Sequence, residues 1–290
     1  MSTPTQPDPV TVVDAVRRAC VAADGHDPLD EAAALALKNH GTDGARLEVD
    51  GDGTGFALVR DGELALAVAP EARGRGTGTA LAAALDGAGA DRAWSHGDHP
   101  AAARLAARHG WTRVRDLWVM RRAVTGPDAA PLPPLVVPGG VEVRGYRDTD
   151  ADDVLAVNAA AFAHHPEQGA LDHAGLAERM AEPWFDPAGL LLAVDTADLT
   201  LLGFHWTKQL DEHLGEVYVM AVGPAAQGRG LGKALTLAGL HHLADRGVAQ
   251  ILLYVESDNE RARRTYSGLG FTHAADDTHV QYAPAAPVSP

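Results

Sequence analysis

The stretch Val222-Gly223-Pro224-Ala225-Ala226-Gln227-Gly228-Arg229-Gly230-Leu231-Gly232-Lys233 decides the fold, because the chain carries a near copy of it 154 residues earlier. The earlier copy reads Val68-Ala69-Pro70-Glu71-Ala72-Arg73-Gly74-Arg75-Gly76-Thr77-Gly78. In each, an apolar strand ends at a proline, a Gly/Arg-rich loop follows, and an Ala/Leu-rich helix begins. Glycine lets backbone N–H groups crowd a ligand, and a helix N-terminus adds partial positive charge. Each passage therefore reads as a cradle for a phosphate or pyrophosphate. Other phosphate loops fit badly. Gly228, Gly230 and Gly232 give G-x-G-x-G, whose third glycine comes one residue early for the dinucleotide fingerprint. Walker A fails because Gly228 and Gly232 enclose too few residues, and Ala234 follows Lys233 where Ser or Thr should bind magnesium.

The repeat also sets the domain count. A chain of 290 residues accommodates two domains at roughly 100–200 residues each, and its 46% hydrophobic content suffices for two cores. No apolar run reaches the roughly 18–20 residues of a membrane span, and with its polar, proline-rich start the chain is not expected to carry a secretory signal. Cys20 is the lone cysteine, so no internal disulfide can form; with Val16, Ala19 and Val21 around it, it reads as part of a buried helix face. A cytoplasmic location is the default expectation. The net charge of −15 argues against nucleic acid and makes Arg73, Arg75, Arg229 and Lys233 informative, since they fall inside the two loops. The histidines include the pairs His164-His165 and His241-His242, and none has partners at metal-site spacing. No metal is expected, and the chain is expected to act as a monomer on a small molecule.

Between the copies, residues 125–140 hold five prolines and read as a stiff linker. The expected domains are therefore 1–124 and 141–290. In the second, strands are expected over 141–144, 190–194, 199–207, 216–222 and 251–255, with helices over 150–162, 171–181, 229–246 and 259–267. Phe271 onward reads as a closing hairpin. The first domain repeats this order more loosely, with strands over 45–49, 56–60, 63–69 and 92–95, helices after Arg75 and over 101–108, and strands after Trp111. The fold class is α/β (α+β): two tandem domains, each a mixed, mostly antiparallel sheet flanked by helices.

The loops resemble the Gln/Arg-x-x-Gly-x-Gly/Ala motif of the GNAT family of N-acetyltransferases, which grips the pyrophosphate of acetyl-CoA. Both halves match that family's order of elements. The resemblance implies acetyl-CoA as co-substrate, held in the second half by Met220, Ala221, Val222, Gln227, Gly228, Arg229, Gly230, Leu231, Gly232 and Lys233, with Asn259, Arg261 and Arg264 from the next helix. In the first half the matching positions are Leu66, Ala67, Val68, Arg73, Gly74, Arg75, Gly76, Thr77 and Gly78. Aligning Gly110-Trp111 with Gly270-Phe271 puts Ala106 opposite Tyr266, His96 opposite Glu256 and His99 opposite Asn259. In the family the tyrosine hydroxyl lies near the CoA sulfur. The chemistry needs such a group, because amine attack on a thioester expels a thiolate that a phenol can hydrogen-bond or protonate. The first half thus keeps a cradle and lacks the acid, and is expected to be non-catalytic. A core aromatic is the plain alternative for Tyr266. An amine also needs a base, and Glu216 opens the strand that enters the cradle; by alternation it shares a face with Tyr218, Met220 and Val222. A strand-end surface carboxylate is the plain alternative for Glu216. Backbone N–H groups near 220–222 would polarise the thioester carbonyl, and a bulge would free them.

Four further segments, 202–208, 215–219, 255–259 and 165–169, resemble a tandem-domain branch of the same family. That resemblance implies transfer of acetyl to the cysteinyl α-amine of a cysteinyl-glucosaminyl-inositol conjugate, a small thiol-sugar. It puts substrate contacts at Lys208, Glu216, Glu256 and Glu31, and more weakly at Glu167. Two other readings stay open. The acceptor could be a protein N-terminus, an aminoglycoside or a polyamine, or the chain could be a non-enzymatic acyl-CoA-binding module.

Overall fold

A computed structural model describes residues 8–163 and 169–285, so Glu167 and the segment around it lie outside the described residues. The chain divides into two compact units. The first takes the residues up to Trp118, Glu256–Asp258 and the stretch from Ala274; the second takes Val119–Val255 and Asn259–His273.

In the first unit, α1 (Pro9–Asp24) and α2 (Glu31–His40) precede β1 (Ala45–Val49), β2 (Gly55–Arg60) and β3 (Glu63–Val68). Then come α3 (Thr77–Ala84), β4 (Arg92–Ser95), α4 (Pro100–Arg108) and β5 (Trp111–Ala123), whose first part belongs here. Helix α1 starts where local chemistry demands. Asp8 caps the Thr11 N–H at 3.2 Å, Pro9 occupies the first turn, and Gly25 closes the helix at φ 77°. Its stripe of Val12, Val13, Val16 and Cys20 is buried against Phe56 and Leu58 of β2. Val21, expected in that stripe, is 42% exposed, because it falls one residue beyond it. The intervening β2 residues, Ala57 and Val59, pack instead against Leu81 and Leu85 from the α3 side. Strict alternation thus buries both faces of the sheet.

The second unit repeats the plan: β6 (Val141–Gly145), α5 (Ala151–Ala161), α6 (His173–Met180), β7 (Leu190–Asp195), β8 (Leu201–Gln209), β9 (Leu214–Val222), α7 (Leu231–Asp245), β10 (Gln250–Glu256) and α8 (Glu260–Gly268). Its sheet order is β10-β9-β8-β7-β6. Phe204 and Trp206 face a core containing Val154 and Leu176 of α5 and α6, whereas Ala193 packs with Leu231 and Leu235 of α7.

The two expected closing hairpins are each a single strand: β5, and β11 (Thr272–Pro284). Neither run has a Gly, Pro or Asn inside it, where a tight turn would need one (Pro284 is the last residue of β11), so the backbone continues straight. The C-terminal end of β11 pairs antiparallel with β4, Val280 opposite Ser95 and Tyr282 opposite Ala93, so the first unit's sheet runs β1-β2-β3-β4-β11. The end of β5 belongs to the second unit. There Arg122 is buried and donates to the carbonyls of Leu269 at 2.8 Å and Ala130 at 2.6 Å. The latter bond and the contact of His241 Nε2 with the Pro133 carbonyl, 2.9 Å, hold the proline-rich segment on the second unit. This differs from a free linker because its carbonyls have donors waiting on α7 and β5.

One buried group sets an acid limit. His205 of β8 is fully buried, and its Nδ1 bonds the Leu235 carbonyl at 2.8 Å. Gly239 on α7 leaves the space it fills, since any Cβ there would collide with the ring. Burial pushes the imidazole down from 6.5 to about 4. The unfolded chain then binds a proton more readily between those values, so stability is intact above pH 6.5 and falls as pH drops to 4, by about 3 kcal/mol at most. We expect the denaturation midpoint to fall across that window and the slope to flatten in His205→Gln; an unchanged slope would assign the loss to other groups.

Candidate active site

The two cradles are built alike, down to the backbone angles. A one-turn helix over Pro70–Ala72 or Pro224–Ala226 leads to Arg73 (φ −65°, ψ 156°) or Gln227 (φ −65°, ψ 153°). Two left-handed glycines follow in each: Gly74 and Gly76 at φ 77° and 92°, Gly228 and Gly230 at φ 80° and 79°. Gly76 and Gly230 are the N-caps of α3 and α7, and neither helix has a side-chain cap, so its first N–H groups stay open to an anion. A Cβ at any of these four glycines would meet nothing within 4 Å. Positive φ demands glycine there, and the space beside it is open for a ligand.

The cations of the two loops differ in their partners. The Arg73 guanidinium is committed to Asp24, at 2.8 and 2.5 Å, and to the Val68 carbonyl at 2.9 Å. Asp24 is in turn held well below the usual carboxylate range. Arg75 donates to the Glu71 carbonyl at 2.8 Å. Gln227, Arg229 and Lys233 are exposed, with Arg229 Nη2 3.6 Å from Asp195. Thr77, Gly78, Leu231 and Gly232 form the first turns of α3 and α7.

Both sheets open beside their cradle. In the second unit β10 pairs parallel with β9 only from Gln250↔Leu214 to Leu253↔Val217, although the strands continue to Glu256 and Val222. In the first, β3 and β4 pair only at Glu63↔Arg92 and Leu64↔Ala93. A cavity of about 690 Å³ in the first unit is lined by Leu66, Val68, Trp94, His96, Gly76 and Ala106 among others, linking that gap to its cradle.

The second unit has a feature that the first lacks. The β8–β9 register shifts between Trp206↔Val219 and Thr207↔Val217, so Tyr218 is a bulged residue. The β2–β3 register runs unbroken from Gly55↔Val68 to Arg60↔Glu63. The bulge also corrects the expected face of the strand. Glu216 lies opposite Lys208, whose Nζ sits over the rings of Trp184 (4.7 Å) and Tyr218 (5.2 Å). Glu216 and Tyr218 therefore share a side. Met220 lies opposite His205 and Val222 opposite Gly203, on the α7 side, because the extra residue reverses the alternation. Ala221 packs with the opposite core. Past Val217, alternate N–H groups of β9 face the gap left by β10.

Glu216 is 7% exposed, which is uncommon for a strand-end carboxylate, and it belongs to the interior. Tyr266, 8% exposed on α8, packs edge-on against Phe271 at 5.9 Å, and burial pushes its phenol up to about 12. Asn259 caps α8, its Oδ1 accepting from the Ala262 N–H at 3.1 Å. His99 caps α4 in the same way, its Nδ1 accepting from the Ala101 N–H. The two halves are thus in one register, and Ala106 stands where Tyr266 does. Arg264 is largely exposed and pairs with Glu260; Arg261 is exposed on the same helix.

Of the residues expected to contact an acceptor, Lys208 and Glu216 come together in the second unit. Glu31 opens α2 in the first unit. Glu256 ends β10 and pairs with Arg115, with distances from 2.5 to 3.0 Å, so its carboxylate is already neutralised. Tyr254, one residue beyond the last β9–β10 pair, is 43% exposed. Among the described residues no cluster of His, Cys, Asp or Glu is arranged to hold a metal, and no helix is long and apolar enough to cross a membrane.

Replacing Gly230 with Val should weaken binding of a phosphate-bearing ligand at this cradle at least tenfold, since a branched side chain at φ 79° both strains the loop and fills the ligand's space. Gly76→Val should leave steady-state transfer nearly unchanged. Kinetics on variants with intact circular dichroism check this; equal losses would show that both cradles serve the same turnover.

Comparison with known proteins agrees with this geometry. Residues 159–271 match the Acetyltransferase (GNAT) family. The chain is 57% identical to a mycothiol acetyltransferase of Nocardioides sp., covering 95% of this chain and 97% of that one. It is 50% identical to a mycothiol acetyltransferase of Rhodococcus opacus, covering 94% of each. Among solved structures, a tandem GNAT protein from the clavulanic acid biosynthesis pathway superposes with a TM-score of 0.69 at 20% identity, over 98% of this chain and 97% of that one. A GNAT acetyltransferase from Sphaerobacter thermophilus gives 0.68 at 24% identity, over 97% and 96%. At those identities the structures speak for the fold alone.

Proposed function

We propose, because this chain belongs to the mycothiol acetyltransferase family, that it transfers acetyl from acetyl-CoA to the cysteinyl α-amine of a cysteinyl-glucosaminyl-inositol conjugate, giving mycothiol and CoA. The observation that carries the mechanism is a buried Glu216 on a bulged strand that runs directly into a glycine cradle. Acetyl-CoA supplies an activated thioester. The N-terminus of α7 and the open backbone at Gly228 and Gly230 suit its pyrophosphate, with Arg229 and Lys233 adding charge. N–H groups of β9 beyond the bulge polarise the carbonyl oxygen. Glu216 takes a proton from the ammonium, directly or through water, freeing the lone pair that attacks. Tyr266 steadies the departing sulfur. With its phenol at about 12, against roughly 8.5 for a thiol, it donates a hydrogen bond more readily than it surrenders the proton.

On this reading the first unit binds CoA without amine transfer, having no β2–β3 bulge and an alanine, Ala106, at the position of Tyr266. Glu31, Glu167, Lys208 and Glu256 are carried as acceptor contacts on the resemblance, suited to an ammonium and to sugar hydroxyls. The enzyme acts as a monomer on small molecules in the cytoplasm, without nucleic acid, membrane or metal. The test compares acceptors: kcat/KM for the conjugate should exceed that for free cysteine by about 100-fold, since remote contacts orient the amine. Equal values would remove the specific assignment and leave a general amine acetyltransferase.

A further inference from the structure

Two histidines in the first unit's cavity have opposite, fixed roles. His96 follows β4 and His99 caps α4, and both line the 690 Å³ cavity that contains the first cradle. The His96 Nδ1 bonds the Asp27 carbonyl. A carbonyl can only accept, so Nδ1 carries the proton, and in the neutral ring Nε2 presents a lone pair. The His99 Nδ1 accepts from the Ala101 N–H at 3.2 Å. A backbone N–H can only donate, so the proton of neutral His99 is on Nε2. Neighbours fix the His96 ring: it stacks on His279 at 4.7 Å between centroids, and His279 meets His26 edge-on at 5.2 Å. His26 is seated against Gly97, where a Cβ would come within 2.5 Å of its ring. Unit 1 therefore has a proton acceptor and a hydrogen-bond donor in one cavity. In the alignment of the two sequence halves they stand at the positions of Glu256 and Asn259.

We propose that the first unit hydrolyses acyl-CoA thioesters, with water in place of an amine. The proposal rests on the reading of its cradle as a CoA site. His96 Nε2 removes a proton from water as the oxygen bonds to the thioester carbonyl carbon. The C–S bond then breaks with its electron pair on sulfur. The thiolate leaves against the His99 Nε2–H and takes the proton held by His96. The products are CoA thiol and a carboxylic acid, which loses its proton to solvent. An amine acceptor needs the ammonium stripped first, whereas water needs only a lone-pair base, so the lack of counterparts to Glu216 and Tyr266 does not forbid this reaction.

The test uses the full chain carrying Glu216→Gln and Tyr266→Phe, which silence the second unit, with acetyl-CoA and no amine. Calorimetry should count two acetyl-CoA per chain, and a thiol reagent should detect CoA release well above the protein-free rate. Adding His96→Gln should cut that release by about 100-fold with two acetyl-CoA still bound, because glutamine keeps the donor to Asp27 and loses the base. His99→Asn, which reproduces the second unit's cap, should slow release without changing the count. Two bound acetyl-CoA with only background release, or release indifferent to His96→Gln, overturns the hydrolytic proposal alone. A count of one overturns the CoA reading of unit 1 and this proposal with it.

Discussion

Glu216→Gln should lower kcat by about 10²–10⁴-fold while acetyl-CoA affinity changes little. The substitution keeps size and hydrogen-bonding atoms and removes only basicity, so a structural role for the carboxylate would predict a small effect. The position supports the larger one. Glu216 is 7% exposed, opposite Lys208 and two residues before the bulge at Tyr218. A buried carboxylate opposite a lysine whose ammonium lies over two aromatic rings is poorly placed for mere solvation and well placed to receive a proton. The pH–rate profile is the sharper readout: the acidic limb of kcat/KM should vanish in Glu216→Gln. A profile of unaltered shape and height would put the base elsewhere. Glu256 is then the next residue to replace, although its pairing with Arg115 counts against it.

Tyr266→Phe should reduce kcat by about tenfold to a thousandfold with acetyl-CoA binding preserved, because the hydroxyl acts as the thiolate forms. The ring's packing on Phe271 survives the change, so folding stability should hold. The raised phenol gives two more expectations. Deprotonation of Tyr266 should produce no alkaline limb below about pH 11, since the group stays protonated up to about 12. For stability the sign follows from the raised value: the neutral phenol's contribution is complete below pH 10 and is lost as pH rises through 12. Full kcat in Tyr266→Phe, measured where chemistry limits turnover, would reduce the residue to a core aromatic.

Much of this was legible in the sequence because it rests on local rules. Positive φ admits glycine almost alone, so Gly74, Gly76, Gly228 and Gly230 announced both cradles, and the duplication announced two units. Helix α7 and strand β10 followed from long apolar patterns. The absence of a counterpart to Tyr266 at Ala106 followed from aligning Gly110 with Gly270, which share a left-handed backbone. Period and composition carry no information about partners distant in sequence, and there the tertiary structure decided. It turned two expected hairpins into straight strands and matched the end of β11 with β4. It committed Arg73 to Asp24 and Glu256 to Arg115, pairings 49 and 141 residues apart in sequence. Above all it inserted Tyr218 as one extra residue in β9, which reverses alternation and separates Met220 from the face of Glu216. A bulge is a mismatch between two strands, so neither strand's sequence contains it by itself. The opposite tautomers of His96 and His99 have the same origin: the side chains are identical, and only the backbone atom each one meets tells them apart.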